Sequence, residues 1–139
     1  MTILVDTPIW SLVLRRKKQD LSYTERTLTA MLIELIDRSS VQLIGLVRQE
    51  LLSGLREEIE FTRLRNYLRD FPDSAIEIDD YEEAARISNE CRKVGITGSS
   101  VDMLICAVAL RRDWRIFTAD RDFVRYARVI PLKLLEPFP

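Results

Sequence analysis

The sequence predicts a single α/β domain in which a parallel β-sheet carries helices on both faces. Short apolar runs alternate with longer amphipathic segments from one end of the chain to the other, which is typical of successive βαβ units. The chain has 139 residues, of which 47% are apolar. This is enough to build one hydrophobic core, so we expect one domain over residues 1–139.

Apolar periodicity and turn residues predict the elements of the first half. Residues 3–5 form a short apolar run that ends at Asp6, and Pro8 suits the first turn of a helix over residues 9–14. The next predicted elements are a basic loop, a helix, a strand and two helices, at residues 15–20, 23–38, 41–44, 47–55 and 59–68.

The second half opens with a turn at residues 71–74 and a weak strand at residues 75–78. A helix over residues 81–94 follows, and Gly95 fits its C-cap. The helix over residues 101–110 is apolar nearly all round, so we expect it to be buried. The last predicted elements are a strand, a helical turn and a strand, at residues 115–118, 122–126 and 129–130.

Composition excludes several kinds of chemistry. The chain has no histidine, which excludes a Ser-His-Asp triad, a Cys-His dyad and a histidine-ligated zinc site. With 21 basic and 22 acidic residues, no whole-protein field attracts nucleic acid, although a local basic patch can. Cys91 and Cys106 lie in predicted helices without CxxC spacing, and no apolar run is long enough to span a membrane. We therefore expect a reduced, cytoplasmic protein.

Acidic residues fall where ligands bind in an open parallel sheet. Asp6 directly follows the first strand, Glu50 lies one turn into the helix after the second, and Asp120 and Asp122 follow the strand at residues 115–118. Asp102 begins the buried helix. Such a cluster stays ionised only if cations compensate it, and Mg²⁺ or Mn²⁺ prefer oxygen ligands. An all-carboxylate site of this kind serves phosphoryl transfer.

Each acid also has a purely structural interpretation. Asp6 can cap a turn and helix, and Asp102 completes a capping box with Ser99. A glutamate in a short helix, such as Glu50, is usually solvated, and Asp120 and Asp122 can cap the last helix. Capping and metal binding are compatible roles, so the functional interpretation depends on the joint arrangement rather than on any single acid.

Four segments, in this order and at this spacing, resemble the PIN-domain ribonucleases, and most closely the VapC-type toxins of prokaryotic toxin–antitoxin pairs. The segments are residues 3–7, 50–55, 98–105 and 117–123. The resemblance implies a metal-dependent endoribonuclease whose acidic quartet holds Mg²⁺ or Mn²⁺; its members would be Asp6, Glu50, Asp102 and Asp120. Thr118 matches a hydroxyl position that orients a water or an aspartate. Asp122 would be an outer ligand or a structural residue.

The resemblance also implies an RNA substrate, held by basic residues near the acids. The candidates are the run after the first catalytic loop, with a solvated loop as the alternative, and one arginine beside the last acid: Arg15, Arg16, Lys17, Lys18 and Arg121. Single-stranded or looped RNA is the expected target, because its backbone can bend into a cleft.

A cognate VapB-type antitoxin is the second partner that the resemblance implies, since a free toxin of this kind damages its host. Residues 9–14 are more apolar than a short surface helix needs, so Trp10 and Leu14 are candidates for an antitoxin groove, with core packing as the alternative. The family also forms homodimers, for which the helices between residues 47 and 68 offer surplus apolar surface.

Other phosphoryl-transfer enzymes fit less well. Haloacid-dehalogenase-type phosphatases need a second acid two residues after the first, where Pro8 stands. A Toprim-type nuclease accounts for Asp120 and Asp122 but requires a glutamate where the first strand ends in Asp6. A catalytically silent PIN-like binding module would have lost a carboxylate, and all four are present.

Overall fold

The computed structural model describes residues 1–14 and 18–136 as an α/β fold with a three-stranded parallel sheet. The central strand, β1 (Ile3–Val5), pairs in parallel with β2 (Val41–Gln42) on one side and with β3 (Arg115–Phe117) on the other. All three side chains of β1 are fully buried. Because successive side chains point to opposite faces, both faces of the sheet are covered at this strand. The predicted fold class is confirmed.

Seven α-helices occur within the described residues: α1 (Thr7–Leu14), α2 (Tyr23–Asp37), α3 (Gly45–Leu52), α4 (Glu58–Leu68), α5 (Ile78–Lys93), α6 (Ser100–Arg112) and α7 (Asp122–Tyr126). The amphipathic segments of the sequence thus form helices close to the predicted bounds. The middle of α6 is buried all round, as its apolar composition predicts. Across the same residues, no helix is both long enough and apolar enough to cross a bilayer.

Strand order determines where the ends of the strands meet. The chain leaves β1 for β2 at one edge and then crosses to the opposite edge for β3, giving the order β2-β1-β3. The switch point between β1 and β3 is the usual place for a ligand in such sheets. Isolated parallel bridges lie outside the named strands, Leu43 with Asp73 and Ile116 with Leu134.

The predicted strand at residues 75–78 is wrong, because this segment leads into α5. The Glu77 side chain accepts the Asp80 N–H, and the Asp80 carboxylate accepts the Glu77 N–H at 2.8 Å, which closes a capping box. The Arg112 guanidinium donates to the Ala75 carbonyl at 3.0 Å. Local caps and a distant arginine therefore take up polar groups that the prediction assigned to a sheet.

The predicted last strand at residues 129–130 is also wrong. The N–H groups of Val129 and Ile130 both donate to the Tyr126 carbonyl, at 2.9 and 3.0 Å, and so continue the turn that ends α7. Sheet-like pairing occurs a few residues later, where the Ile116 N–H donates to the Lys133 carbonyl at 2.9 Å.

A buried ion-pair network joins α5 to α6. Asp80 is fully buried and accepts two hydrogen bonds from the Arg112 guanidinium, at 2.8 and 3.0 Å. Arg111 donates a third at 2.6 Å. These guanidinium groups hold the pKa of Asp80 well below its usual range. The network fixes the C-terminal end of α6, whose other end carries Asp102.

Candidate metal centre

The carboxyl ends of β1 and β3 bring Asp6 and Thr118 into contact. The Thr118 hydroxyl donates to Asp6 Oδ2 at 2.9 Å, and the Thr7 N–H donates to Asp6 Oδ1 at 2.9 Å. The Thr118 oxygen in turn accepts the Asp120 N–H at 3.0 Å. Asp6 is 8% exposed and Thr118 2%. One buried hydroxyl thus connects the acid after β1 to the acid after β3.

Asp102 reaches the same place from the start of α6. Ser99 caps this helix, its hydroxyl accepting the Asp102 N–H at 3.1 Å. This is one half of the predicted capping box; the reciprocal bond, from the Ser99 N–H to the Asp102 side chain, is not found among the described residues. The Asp102 carboxylate is half-buried and accepts a hydrogen bond from the Tyr126 hydroxyl at 2.9 Å on Oδ2. The cap thus holds the backbone of Asp102, while burial raises the pKa of its carboxyl group against the hydrogen bonds from Tyr126 and Ser99.

Three carboxylates form a tight cluster. Asp102, Asp120 and Asp122 each present an oxygen within 4.8 Å of the other two. Asp120 Oδ1 accepts the Asp122 N–H at 2.9 Å, and Asp122 forms an ion pair with Arg125 at 3.5 Å. Asp122, interpreted from sequence as an outer ligand or a structural residue, therefore lies inside the cluster.

Glu50 and Asp6 flank this cluster rather than belong to it. Glu50 is exposed on the last turn of α3. Its charge reaches Asp6, because it contributes to the raised pKa of that carboxyl group. The structure thus brings all four predicted acids to one edge of the sheet. Two of them, Asp102 and Asp120, cluster with Asp122 on the side of β3 and α6.

Electrostatics make this arrangement costly without a cation. Burial raises the pKa of Asp6 to about 6, and the charges of Asp102 and Glu50 add to that effect against the hydrogen bonds from Thr118 and Thr7. Burial also raises the pKa of Asp102, and the charge of Asp120 adds to it. Burial and neighbouring negative charges thus make Asp6 and Asp102 harder to ionise.

The donor set fits a hard divalent cation. The clustered ligand atoms are all carboxylate oxygens, which Mg²⁺ and Mn²⁺ prefer to nitrogen or sulfur. The Thr7 hydroxyl, next to Asp6, is buried without a hydrogen-bond partner among the described residues, which adds another unsatisfied oxygen beside the acids. A divalent ion would offset the burial and the repulsion that together raise the pKa values of Asp6 and Asp102.

The sequence interpretation missed Tyr126, whose hydroxyl touches Asp102. Tyr126 and Phe123 pack edge to face at 5.3 Å and form the buried side of α7, so their spacing indicates an ordinary apolar face. The available signal was a tyrosine at an apolar position, because a buried phenol needs a hydrogen-bond partner. Cys106 lies below the acids, and burial raises the pKa of its thiol.

The predicted RNA-binding residues are described only in part. Residues 15–17 and the side chain of Lys18 lie outside the described residues, so Arg15, Arg16, Lys17 and Lys18 remain predictions. Arg121 is exposed between Asp120 and Asp122.

The two predicted groove residues have different surroundings. Trp10 is fully buried and packs edge-on against Phe71 at 5.1 Å, so its assignment to an open groove is wrong. Its large ring fills the core beneath α1 instead. Leu14 does line a groove of about 520 Å³, together with Leu55, Glu60, Arg63, Leu64 and Tyr67. The end of α1 and the helix α4 form the walls of this groove.

Comparisons with known proteins agree with this geometry. The model of the family described as the PIN domain matches residues 3–129. The ribonuclease VapC11 of Mycobacterium tuberculosis is 28% identical over 135 residues, covering 94% of this chain and 96% of that protein.

Solved structures resemble the fold over nearly its whole length. The structure of VapBC2 from Rickettsia felis bound to a DNA fragment from its promoter contains a chain with a TM-score of 0.75 at 16% identity, covering 97% of this chain and 98% of that one. FitAcB from Neisseria gonorrhoeae gives a TM-score of 0.74 at 19% identity, covering 98% of each chain. At these identities the likeness is one of fold.

Proposed function

This chain belongs to the PIN domain family, and on that premise we propose that it is a metal-dependent endoribonuclease toxin of the VapC type, neutralised by a cognate antitoxin. The observation that carries the proposal is the carboxylate cluster of Asp102, Asp120 and Asp122, with Asp6 beside it at the ends of the parallel strands. The family match extends over residues 3–129, the part of the chain that supplies these acids.

The proposed reaction is hydrolysis of an RNA phosphodiester bond. When bound, Mg²⁺ or Mn²⁺ makes water a better nucleophile and stabilises negative charge on phosphate oxygens. Asp6 and Asp102 would hold the ion directly, and Glu50 and Asp120 would complete its shell directly or through water. Thr118 fixes the Asp6 carboxylate through the 2.9 Å hydrogen bond to Oδ2. Asp122 lies close enough to Asp120 to act as a further ligand.

The proposed substrate is single-stranded or looped RNA. Arg121 lies beside the acids, and Arg125 and Arg128 follow it at positions i+4 and i+7, all three exposed. This spacing places them along one side of α7 and the turn after it. An arginine row beginning at the cluster suits the phosphates that flank the cut bond. The basic run at residues 15–18, which the sequence predicts to bind RNA, is proposed to contact the same substrate.

The proposed antitoxin is of the VapB type, and the groove beside Leu14 is its candidate docking place. Leu14, Leu55, Leu64 and Tyr67 make the groove apolar, while Glu60 and Arg63 supply charge of both signs. A segment with an apolar stripe and flanking charges matches this lining. The similar chain from Rickettsia felis was solved within a VapBC2 complex, which supports an antitoxin of this class.

We further propose a homodimer acting in the cytoplasm. Ile59 on α4 is 73% exposed and Tyr67 38%, which leaves apolar surface on the helices that the sequence marks for self-association. Light scattering on the purified protein measures its mass directly. The cytoplasm is the compartment in which the proposed RNA substrate is found, and both cysteines are buried as free thiols.

Cleavage of total cellular RNA by purified, antitoxin-free protein tests the activity. Reactions with Mg²⁺, Mn²⁺ or EDTA compare the wild type with an Asp6→Asn/Asp102→Asn variant. Asp79→Asn is the matched control, because Asp79 is an exposed acid on α5. We expect discrete metal-dependent fragments from the wild type and Asp79→Asn and none from the double variant. Equal fragmentation by all three proteins would contradict the proposal, and so would no fragmentation by any of them.

A further inference from the structure

Tyr126 is a buried phenol that donates a hydrogen bond to a carboxylate of the candidate metal centre. Its side chain is 1% exposed, and its hydroxyl donates to Asp102 Oδ2 at 2.9 Å. The ring is held by Phe123 at a centroid distance of 5.3 Å and an interplanar angle of 75°. The hydroxyl therefore has little freedom to move relative to the start of α6.

The hydrogen bond fixes Oδ2 of Asp102, a residue whose carboxylate also takes part in the cluster with Asp120 and Asp122. Asp102 Oδ2 carries the phenol contact, while the Asp102 backbone is fixed by the cap from Ser99. An aspartate whose backbone N–H and one carboxylate oxygen are both hydrogen-bonded has few side-chain orientations left. Hydrogen bonds of this kind orient metal ligands, and their loss typically lowers metal affinity or activity about 10- to 100-fold.

Gly98 gives the phenol the room it needs. A Cβ built on Gly98 would lie 2.8 Å from the Tyr126 hydroxyl oxygen and 2.4 Å from Met103 Cε. The methionine methyl is the end of a flexible side chain and can move, whereas the phenol is held by its ring packing and by Asp102. A side chain at position 98 would thus push directly against the hydroxyl that contacts Asp102.

We propose that Tyr126 is a positioning residue that aims Asp102 at the bound divalent ion, and that Gly98 is required because it leaves space for the Tyr126 hydroxyl. The inference rests on the proposed function, since it concerns the same metal centre. It adds two residues from outside the acidic set, one of them in the last helix and one in the loop before α6.

Mn²⁺ affinity, measured by titration calorimetry at one fixed pH, tests this role in Tyr126→Phe. The variant keeps the ring and removes only the hydroxyl, and Tyr23→Phe, which changes an 81% exposed tyrosine, is the matched control. We expect the Mn²⁺ dissociation constant of Tyr126→Phe to rise about 10-fold or more. On RNA we expect kcat to fall with little change in KM, and Tyr23→Phe to behave as the wild type in both measurements.

A second variant, Gly98→Ala, tests the same contact without Tyr126→Phe, and wild-type Mn²⁺ affinity in it would overturn the role of Gly98. Gly98→Ala should weaken Mn²⁺ binding on its own, because its methyl displaces the hydroxyl. In a Tyr126→Phe background that folds, the same change should weaken Mn²⁺ binding less, since the oxygen at 2.8 Å is gone and the ring carbon that remains lies at 3.1 Å. Additive losses in this cycle would overturn the role of Gly98.

Wild-type Mn²⁺ affinity in Tyr126→Phe would overturn the role of Tyr126. The failure of the proposed function would look different: a wild type that binds Mn²⁺ yet cuts no RNA removes the nuclease and still lets the affinities decide on Tyr126. A wild type that binds no Mn²⁺ overturns both.

Discussion

Asp6 combines two conditions that seldom coexist in a protein without a ligand: burial and acidic neighbours. It accepts hydrogen bonds from Thr118 and Thr7, and both favour its charged form. Burial nevertheless dominates, because it raises the pKa of Asp6 to about 6. Asp6 is thus fixed in orientation, but its ionised form destabilises the fold, and a bound cation would offset this destabilisation.

In the metal-free protein, Asp6 should make stability fall as the pH rises from about 4 to about 6. Its pKa is higher in the folded state than in the unfolded chain, so the folded state retains the proton over this interval. The stabilisation is complete below about pH 4 and is lost as the pH passes the folded pKa of about 6. Two units of pKa correspond to roughly 3 kcal/mol at most.

Thermal unfolding of the wild type and of Asp6→Asn, measured in EDTA from about pH 4.5 to about 7.5, tests this effect. The variant lacks the titrating carboxyl group, so the difference in Tm between the two proteins reports its contribution. We expect the Tm of the wild type to fall relative to that of Asp6→Asn as the pH rises. The Asp79→Asn control should follow the wild type. Parallel Tm curves for the wild type and Asp6→Asn would contradict the raised pKa.

At the scale of elements, the ion pairs between α5 and α6 fix the position of α6 and therefore of Asp102. Asp80 joins the two helices through Arg111 and Arg112, and Arg112 also donates to Ser74 Oγ at 3.0 Å. Loss of the charge of a buried carboxylate with three guanidinium contacts is costly in free energy, because the two arginines would then lack a negative partner. The network therefore sets the position of α6 from the end opposite to the metal centre.

Asp80→Asn should lower the free energy of unfolding by about 3–5 kcal/mol at pH 7, because it breaks a buried ion pair. The pKa of Asp80 is lowered in the folded state, so its stabilising contribution is present above the unfolded pKa of about 4 and is lost in stronger acid. The difference from the wild type should therefore narrow below about pH 4. Urea unfolding at several pH values checks this, with Asp37→Asn, which changes an exposed acid at the end of α2, as the control.

Local patterns predicted the elements whose hydrogen bonds are local. The helices and the three paired strands follow from apolar spacing, and Ser99 caps α6 as its position indicates. The two strands predicted at residues 75–78 and 129–130 are wrong for a different reason. There the backbone groups are satisfied by Arg112 and by the Tyr126 carbonyl, partners that no apolar pattern identifies.

The candidate site, like the fold, has a part that the sequence predicted and a part that it did not. The acids after β1 and β3 were predictable, because strand ends converge in a parallel sheet. The inclusion of Asp122 in the cluster and the contact of Tyr126 with Asp102 depend on how α7 packs against α6, which the sequence does not encode locally. Trp10 was predicted to line a groove, but it is fully buried in the core, because apolar character alone does not separate the two environments.

For the whole molecule, a divalent ion should stabilise the fold by binding where the acids repel one another. At an ion concentration 100 times the dissociation constant the gain is about 2.7 kcal/mol, which corresponds to a rise of several degrees in Tm. Mn²⁺ should therefore raise the Tm of the wild type and of Asp79→Asn but not of Asp102→Asn/Asp120→Asn. An equal rise in all three would place the ion elsewhere.

The anomalous scattering of Mn²⁺ in crystals of the protein tests the central claim most directly. The account predicts an anomalous peak within coordination distance of Asp6 and Asp102 oxygens, beside Asp120, and its absence from crystals of Asp102→Asn/Asp120→Asn. A peak at a different group of residues, or none at these acids under saturating Mn²⁺, would contradict the claim that this edge of the sheet is the metal centre.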